Sequence, residues 1–374
     1  MSKRLESLDA LRGFDLICLV VLERFAHKIG RPDESFWREW LYLLFNHKVW
    51  EGFSAWDLVM PLFMFMAGVT IPFSYNKYRG FDGNMQPVYF RLLRRFLLLW
   101  LLGMVCQGNL LAFDFQHFYF FSNTLQAIAV GYIVSAYLFL RTKWKTQIVI
   151  ASLLLFAYWG AMEFCSIGVY GNGNYSEQGN FAEGLDMLIL GKYRDTAQVI
   201  EGVVVVDPTY TYTWILSSLN FVVTVLSGVF VGQILYSELP QKTKLILINT
   251  SGFFMVVMGW LMSFVHPIIK HIWTSSMVLV SSGYCFLLMG LFYYIIDYRG
   301  WNKHITLLKI YGMNSITAYV ISLVVDFSSV SNSFLFGLER FVGVHYPIMI
   351  LFGNVLIVFL LLLFLYKNRV FIRV

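Results

Sequence analysis

The stretch Asn46-His47-Lys48-Val49-Trp50-Glu51-Gly52, followed by Trp56-Asp57 and Pro61, sets a histidine close to a carboxylate. An imidazole accepts and releases a proton near neutral pH, and a neighbouring carboxylate would fix its tautomer and raise its basicity. Base catalysis by His47, with Asp57 as its orienting partner, stands beside the plainer reading of a satisfied structural histidine. Glu23 and Arg24 are adjacent, so their side chains leave a helix about 100° apart. They are either a structural ion pair or a pair of which one member, Glu23, faces a cavity. A second polar turn reads His266-Pro267-Ile268-Ile269-Lys270-His271-Ile272-Trp273. Its two histidines lack the i,i+4 spacing of helical zinc ligands, which argues against a metal. Lys270 and Trp273 offer a cation and a ring to a sugar, or simply an anchor at a membrane interface. Arg12, Gln126 and Asn314 interrupt apolar runs. Polar groups there either bridge helices or line a cavity, because burying them without hydrogen bonds is costly.

These residues must be held by an unusually apolar chain. Its 374 residues are 58% hydrophobic and 13% charged, with mean hydropathy +0.64. Soluble domains carry about 25% charged residues, so the composition excludes a soluble domain, a disordered chain and a disulfide scaffold. The four cysteines show no metal-ligand or redox spacing. A hydrocarbon core needs about 20 apolar residues per helix. Segments near that length lie at 11–29, 56–75, 94–113, 122–140, 146–164, 213–235, 245–265, 274–296, 305–325 and 346–366. The alternating pattern of a β-barrel is missing. The expected fold is therefore an all-α integral membrane protein, a bundle of about ten transmembrane helices.

Most of the 28 Lys and Arg residues fall in alternate connections, among them Arg91, Arg94 and Arg95. The positive-inside rule then puts both termini in the cytoplasm and the stretches 27–55 and 165–212 outside. Gln126 and Asn314 are assigned to inner ends of their spans. The net charge of +6 is thus a matter of topology rather than of nucleic-acid binding. Asp15 and Glu23-Arg24 break the first apolar run, which argues against a cleaved signal peptide. Neither a phosphate-binding loop nor a nucleophile elbow occurs.

Taken in order, the motifs are Ser7-Leu8-Asp9-x-x-Arg12-Gly13 and His47-x-x-Trp50-x-Gly52-x-x-x-x-Asp57-Leu58-Val59-x-Pro61. Leu125-Gln126, Asp207-Pro208, Pro267-Ile268-x-Lys270-x-x-Trp273-x-x-Ser276 and Gly312-Met313-Asn314-Ser315 follow. The set resembles the transmembrane acyltransferase superfamily, in the group related to heparan-α-glucosaminide N-acetyltransferase, over nearly the whole chain. The resemblance implies one acyltransferase domain over 1–374, in the inner membrane of a bacterium. It further implies transfer of an acetyl group from cytoplasmic acetyl-CoA to a glucosamine-like amino sugar outside, with His47 at the active site and, on the resemblance alone, a homodimer. On that footing Glu23 and Asp57 are expected beside His47. Arg12, Arg94, Gln126 and Asn314 are expected to contact acetyl-CoA, and Trp50, Asp186, Lys270 and Trp273 the acceptor. No metal is expected. Two other readings remain: a secondary transporter of amino sugars, and an O-acetyltransferase of a surface polysaccharide. Direct transfer and transfer through an acetyl-histidine are equally compatible with the sequence.

Overall fold

Apolar runs this long satisfy their backbone polar groups in hydrocarbon only as helices, and helices dominate the computed structural model. It describes residues 5–29, 36–81, 83–114, 117–200, 203–206 and 212–371. The chain opens with α1 (Glu6–Ile17), a π-helical stretch (Cys18–Leu22) and α2 (Glu23–Ile29). Then come α3 (Phe36–Phe45), α4 (Val59–Tyr75), α5 (Gln86–Cys106), α6 (Thr124–Arg141) and α7 (Trp144–Phe164). An excursion follows, made of the hairpin β1 (Ser166–Ile167) and β2 (Tyr170–Gly171), the helix α8 (Phe181–Ile189), and the hairpin β3 (Ala197–Ile200) and β4 (Val203–Val206). The chain returns through α9 (Ser217–Tyr236), α10 (Gln241–Met262), α11 (Ser275–Phe292), α12 (Thr306–Met313) and α13 (Ser315–Val324). It ends with α14 (Ser328–Leu335), the short α15 (Glu339–Val342) and α16 (Tyr346–Lys367).

Among the described residues, seven helices are long and apolar enough to cross a membrane, and eight if the bent pair α12–α13 makes one span. The protein is a multi-pass membrane protein. Of the ten expected segments, the first and the third are helical but fall outside this count because charges enter them. In the first, Arg12, Asp15, Glu23 and Arg24 flank the apolar stretch 16–22 and leave it short. The segment placed at 94–113 is α5, which begins earlier and carries Arg91, Arg94 and Arg95. It stops at Cys106, and Asn109 and Phe113 take positive φ just beyond it. The segment at 305–325 bends by 72° between α12 and α13.

Helix ends fall into two groups. At one end Arg79 donates to the Thr142 carbonyl, Arg141 to the Tyr89 hydroxyl, and Lys309 pairs with Glu6. At the other end the turns before α4, α6, α9 and α11 come together, and the excursion between α7 and α9 packs on them. The stretch of α9 that could span is 72% buried, whereas that of α10 is 17% buried and shows Phe253, Phe254 and Trp260 outward. Interior helices approach through small residues, as helices in lipid do. A Cβ on Gly68 would lie 1.9 Å from the Val225 carbonyl oxygen, and one on Gly228 2.0 Å from that of Phe65, so α4 and α9 touch backbone to backbone. The motif glycines Gly13 and Gly312 serve the same purpose between α1 and α12, at 1.8 Å from Leu308 O and 1.9 Å from Asp9 O.

Candidate active site

His47 and Asp57 meet because a helix start and a turn share one carboxylate. Ser54 is extended and caps the turn leading into α4. Its backbone N–H and its hydroxyl donate to Asp57 Oδ2 at 2.8 and 2.9 Å. This capping box fixes the carboxylate and leaves Oδ1 free to accept from His47 Nδ1 at 2.8 Å. A carboxylate can only accept, so the proton is assigned to Nδ1. The Nε2 lone pair is then the one ring acceptor, within reach of Lys270 Nζ and open to a substrate from the cavity.

Lys270 arrives from the turn before α11. That turn is tied to the His47 loop by Gly52 N–H donating to Ile268 O at 2.8 Å and by a bridge between Glu51 and Ile269. Its other side is pinned by Thr274, which caps α11, and by Asn220, which donates to Trp273 O at 2.7 Å. Held in this way, Lys270 Nζ lies 2.9 Å from His47 Nδ1, 3.3 Å from Nε2 and 3.7 Å from Asp57 Oδ1. The side chains of Asp57 and Lys270 are 1% and 7% exposed, whereas that of His47 is 37% exposed. A buried ion pair thus flanks an imidazole that reaches into open space.

That space is a cavity of about 420 Å³. His47 and Lys270 line it together with Glu23 and Arg24, which follow directly on the π-helical stretch, a helix irregularity that favours functional sites. Glu23 and Arg24 both face it, and Arg24 is held by a bond to Ser322 O at 2.6 Å. Aromatic walls come from Trp56, Tyr212 and Trp214. Tyr212 and Trp214 escaped sequence reasoning. The neighbouring Asp207-Pro208 motif was the nearest signal, and it lies outside the described residues.

Other expected contacts sit elsewhere. Asp186 does not face the cavity: it is fully buried and accepts from Trp214 N and Ile215 N at 2.7 and 2.9 Å, so it holds the wall in place. Burial raises its carboxyl to about 7 against the pull of those two N–H groups. Trp273 is 1% exposed, packs on Phe221 and donates to Thr224 Oγ1 at 3.1 Å, which makes it a core residue. Trp50 stacks on His271 and donates to the Tyr175 carbonyl at 2.8 Å, so it clamps the excursion to the His47 loop. Gln126 is not at the basic end. It lies in the first turn of α6, at the His47 end, and backbone groups occupy its amide: Ser122 N and Asn123 N donate to its oxygen and its nitrogen donates to Phe120 O. Arg12 donates to Met66 O at 3.4 Å, Asn314 sits at the break between α12 and α13 and donates to Val370 O at 3.1 Å, and Arg94 is exposed on α5. Gln126 is thus set apart from Arg94, while Arg12 and Asn314 flank the close contact of Gly13 with α12.

His266 has a structural role. It is fully buried, its Nε2 accepts from Ser275 N–H at 3.0 Å, and its Nδ1 bonds the Tyr175 hydroxyl at 2.9 Å. Burial pushes its pKa down from 6.5 to about 3. A folded-state pKa depressed in this way contributes stability above pH 6.5 that is lost as pH falls toward 3. We therefore expect thermal unfolding in detergent to show a steeper loss between those limits for the wild type than for His266→Gln. Identical slopes would contradict the assignment.

No family model matches the sequence. The chain is 26% identical over 374 residues to heparan-alpha-glucosaminide N-acetyltransferase of Homo sapiens, covering 85% of this chain and 52% of that protein. The Mus musculus protein of the same name is 25% identical over 373 residues, covering 85% of this chain and 53% of its own. The chain spans about half the length of these curated relatives.

Proposed function

From this distant homology to a membrane N-acetyltransferase, we propose that the protein moves an acetyl group from acetyl-CoA to the amine of a glucosamine-like sugar. The observation that carries the reading is the His47–Asp57–Lys270 cluster opening on a cavity shared with Glu23. An amine attacks a thioester only when unprotonated, so the site must remove a proton. His47 Nε2 is the base, with Asp57 fixing its tautomer. Glu23 is the anion that receives the sugar's ammonium before that proton leaves. Trp56, Tyr212 and Trp214 offer rings to the apolar face of a sugar.

Positive-inside reasoning puts the His47 end outside the cell and the Arg91–Arg95 end in the cytoplasm. The phosphates of acetyl-CoA would be met at the basic end by cations such as Arg94, and the slender pantetheine arm would carry the thioester across the bundle. The bilayer is the protein's first partner, and the inner membrane of a bacterium is the proposed location.

Sealed vesicles containing the purified protein test this reading. Acetyl-CoA supplied on the Arg94 side and glucosamine on the His47 side should give N-acetylglucosamine and free CoA. Uptake of labelled glucosamine without CoA, and no acetylated product, would support transport instead. Product bearing acetyl on oxygen would support O-acetylation. Incubation with acetyl-CoA alone should leave His47 unmodified, whereas acetylated protein would point to a covalent intermediate.

A further inference from the structure

We infer that Lys270 is the cation that polarises the acyl carbonyl, rather than a residue that grips the sugar; the inference rests on the acetyl-transfer reading above. A lysine on an acceptor surface would project freely into the cavity. Lys270 is instead buried against the His47 ring, with Nζ 2.9 Å from Nδ1 and 3.3 Å from Nε2. Asp57 Oδ1 accepts from the Nδ1 N–H at 2.8 Å, so on the ring Nζ can donate only to Nε2. The same oxygen lies 3.7 Å from Nζ, beyond hydrogen-bond reach. An ammonium has three N–H donors and no acceptor, so these neighbours do not use them all. Arg24 also lines the cavity, but its guanidinium is drawn to the Ser322 carbonyl at 2.6 Å. Lys270 is the cation set against the proposed base.

A thioester oxygen bonded to Nζ would hold its carbonyl carbon beside Nε2, where an incoming amine loses its proton. The amine nitrogen forms the N–C bond, and the carbonyl electrons move onto oxygen, where Lys270 meets the developing charge. His47 Nε2 takes the amine proton. The oxygen electrons then return, the C–S bond breaks, and the departing thiolate takes that proton from His47. The balance is one amide and one free thiol, with both side chains restored. Preorganised donors aimed at charge that appears only in the transition state act mainly on kcat.

The test uses the full-length protein, glucosamine and two donors, acetyl-CoA and fluoroacetyl-CoA. With acetyl-CoA, Lys270→Gln should lower kcat by roughly 10²–10³-fold and leave KM for glucosamine within about twofold. Fluorine withdraws electrons and stabilises the oxyanion by itself, so with fluoroacetyl-CoA the loss should shrink to less than about tenfold. Lys270→Arg, which keeps a charge, should fall between wild type and Lys270→Gln with the same dependence on donor, and covers the case of a Gln variant that folds poorly. A loss equal for both donors would overturn the assignment to the carbonyl. A loss carried by KM for glucosamine would return Lys270 to the sugar. If the wild-type chain releases no CoA with any amine, the acetyl-transfer reading falls and this inference falls with it.

Discussion

Replacing His47 with alanine should lower acetyl transfer by roughly 10²–10⁴-fold, the span that general-base catalysis supplies, while fold and acetyl-CoA binding persist. The imidazole is 37% exposed and contributes little to any core. Asp57 is not stranded when it goes, because Lys270 Nζ remains 3.7 Å from Oδ1 and Ser54 still occupies Oδ2. Amine-dependent CoA release, thermal unfolding in detergent and calorimetric titration with acetyl-CoA separate these quantities. A variant that keeps more than about a tenth of wild-type turnover would remove His47 as the base.

The second large effect belongs to Asp57, and two substitutions divide its roles. Asparagine can keep the helix cap, since its oxygen can still accept from Ser54 N and Oγ. Its amide nitrogen then faces His47 Nδ1 and donates, which forces the imidazole proton onto Nε2 and removes the lone pair that takes the substrate's proton. The equivalent tautomer reversal in a serine-protease triad costs about 10⁴ in kcat, and a loss of that order is expected here with the helix cap kept. Both substitutions leave buried Lys270 without its counter-charge, at roughly 3–5 kcal/mol, and alanine loses the cap as well, worth about 1 kcal/mol more. Both variants should therefore be inactive and less stable than the wild type, with Asp57→Ala the less stable of the two by the lost cap. Equal melting temperatures for the two variants would contradict the double use of this carboxylate, and an active Asp57→Asn would contradict the tautomer argument.

The His47–Asp57 pair was readable in the sequence because the two residues are local and the carboxylate opens a helix whose cap is written in Ser54. Lys270 stood out as a cation in a polar turn, but its partner did not: 223 residues separate it from His47, and only the pairing of two turns brings them together. Asp186 and Trp273 misled for a shared reason. Polar and aromatic residues at the end of a bundle look like binding groups in a sequence, yet here they satisfy the backbone and fill space between helix starts. Gln126 was placed at the wrong end, although a helix that begins after a connection without Lys or Arg has its first turn opposite the basic side. Seven to eight of the ten expected spans stand out as long and apolar, and the charges of α1 and α5 set the other two apart. The helices themselves were legible, since apolar composition over that length leaves no other structure.

One measurement reaches the central claim most directly: a structure of the protein bound to a non-hydrolysable acetyl-CoA analogue. The account predicts the adenine and phosphates at the basic end. It places the carbonyl carbon beside His47 Nε2, at about 3–3.5 Å, and the carbonyl oxygen on Lys270 Nζ. An acyl group that stops among Arg91, Arg94 and Arg95, or a bound analogue with no passage to the cavity of His47 and Glu23, would contradict it.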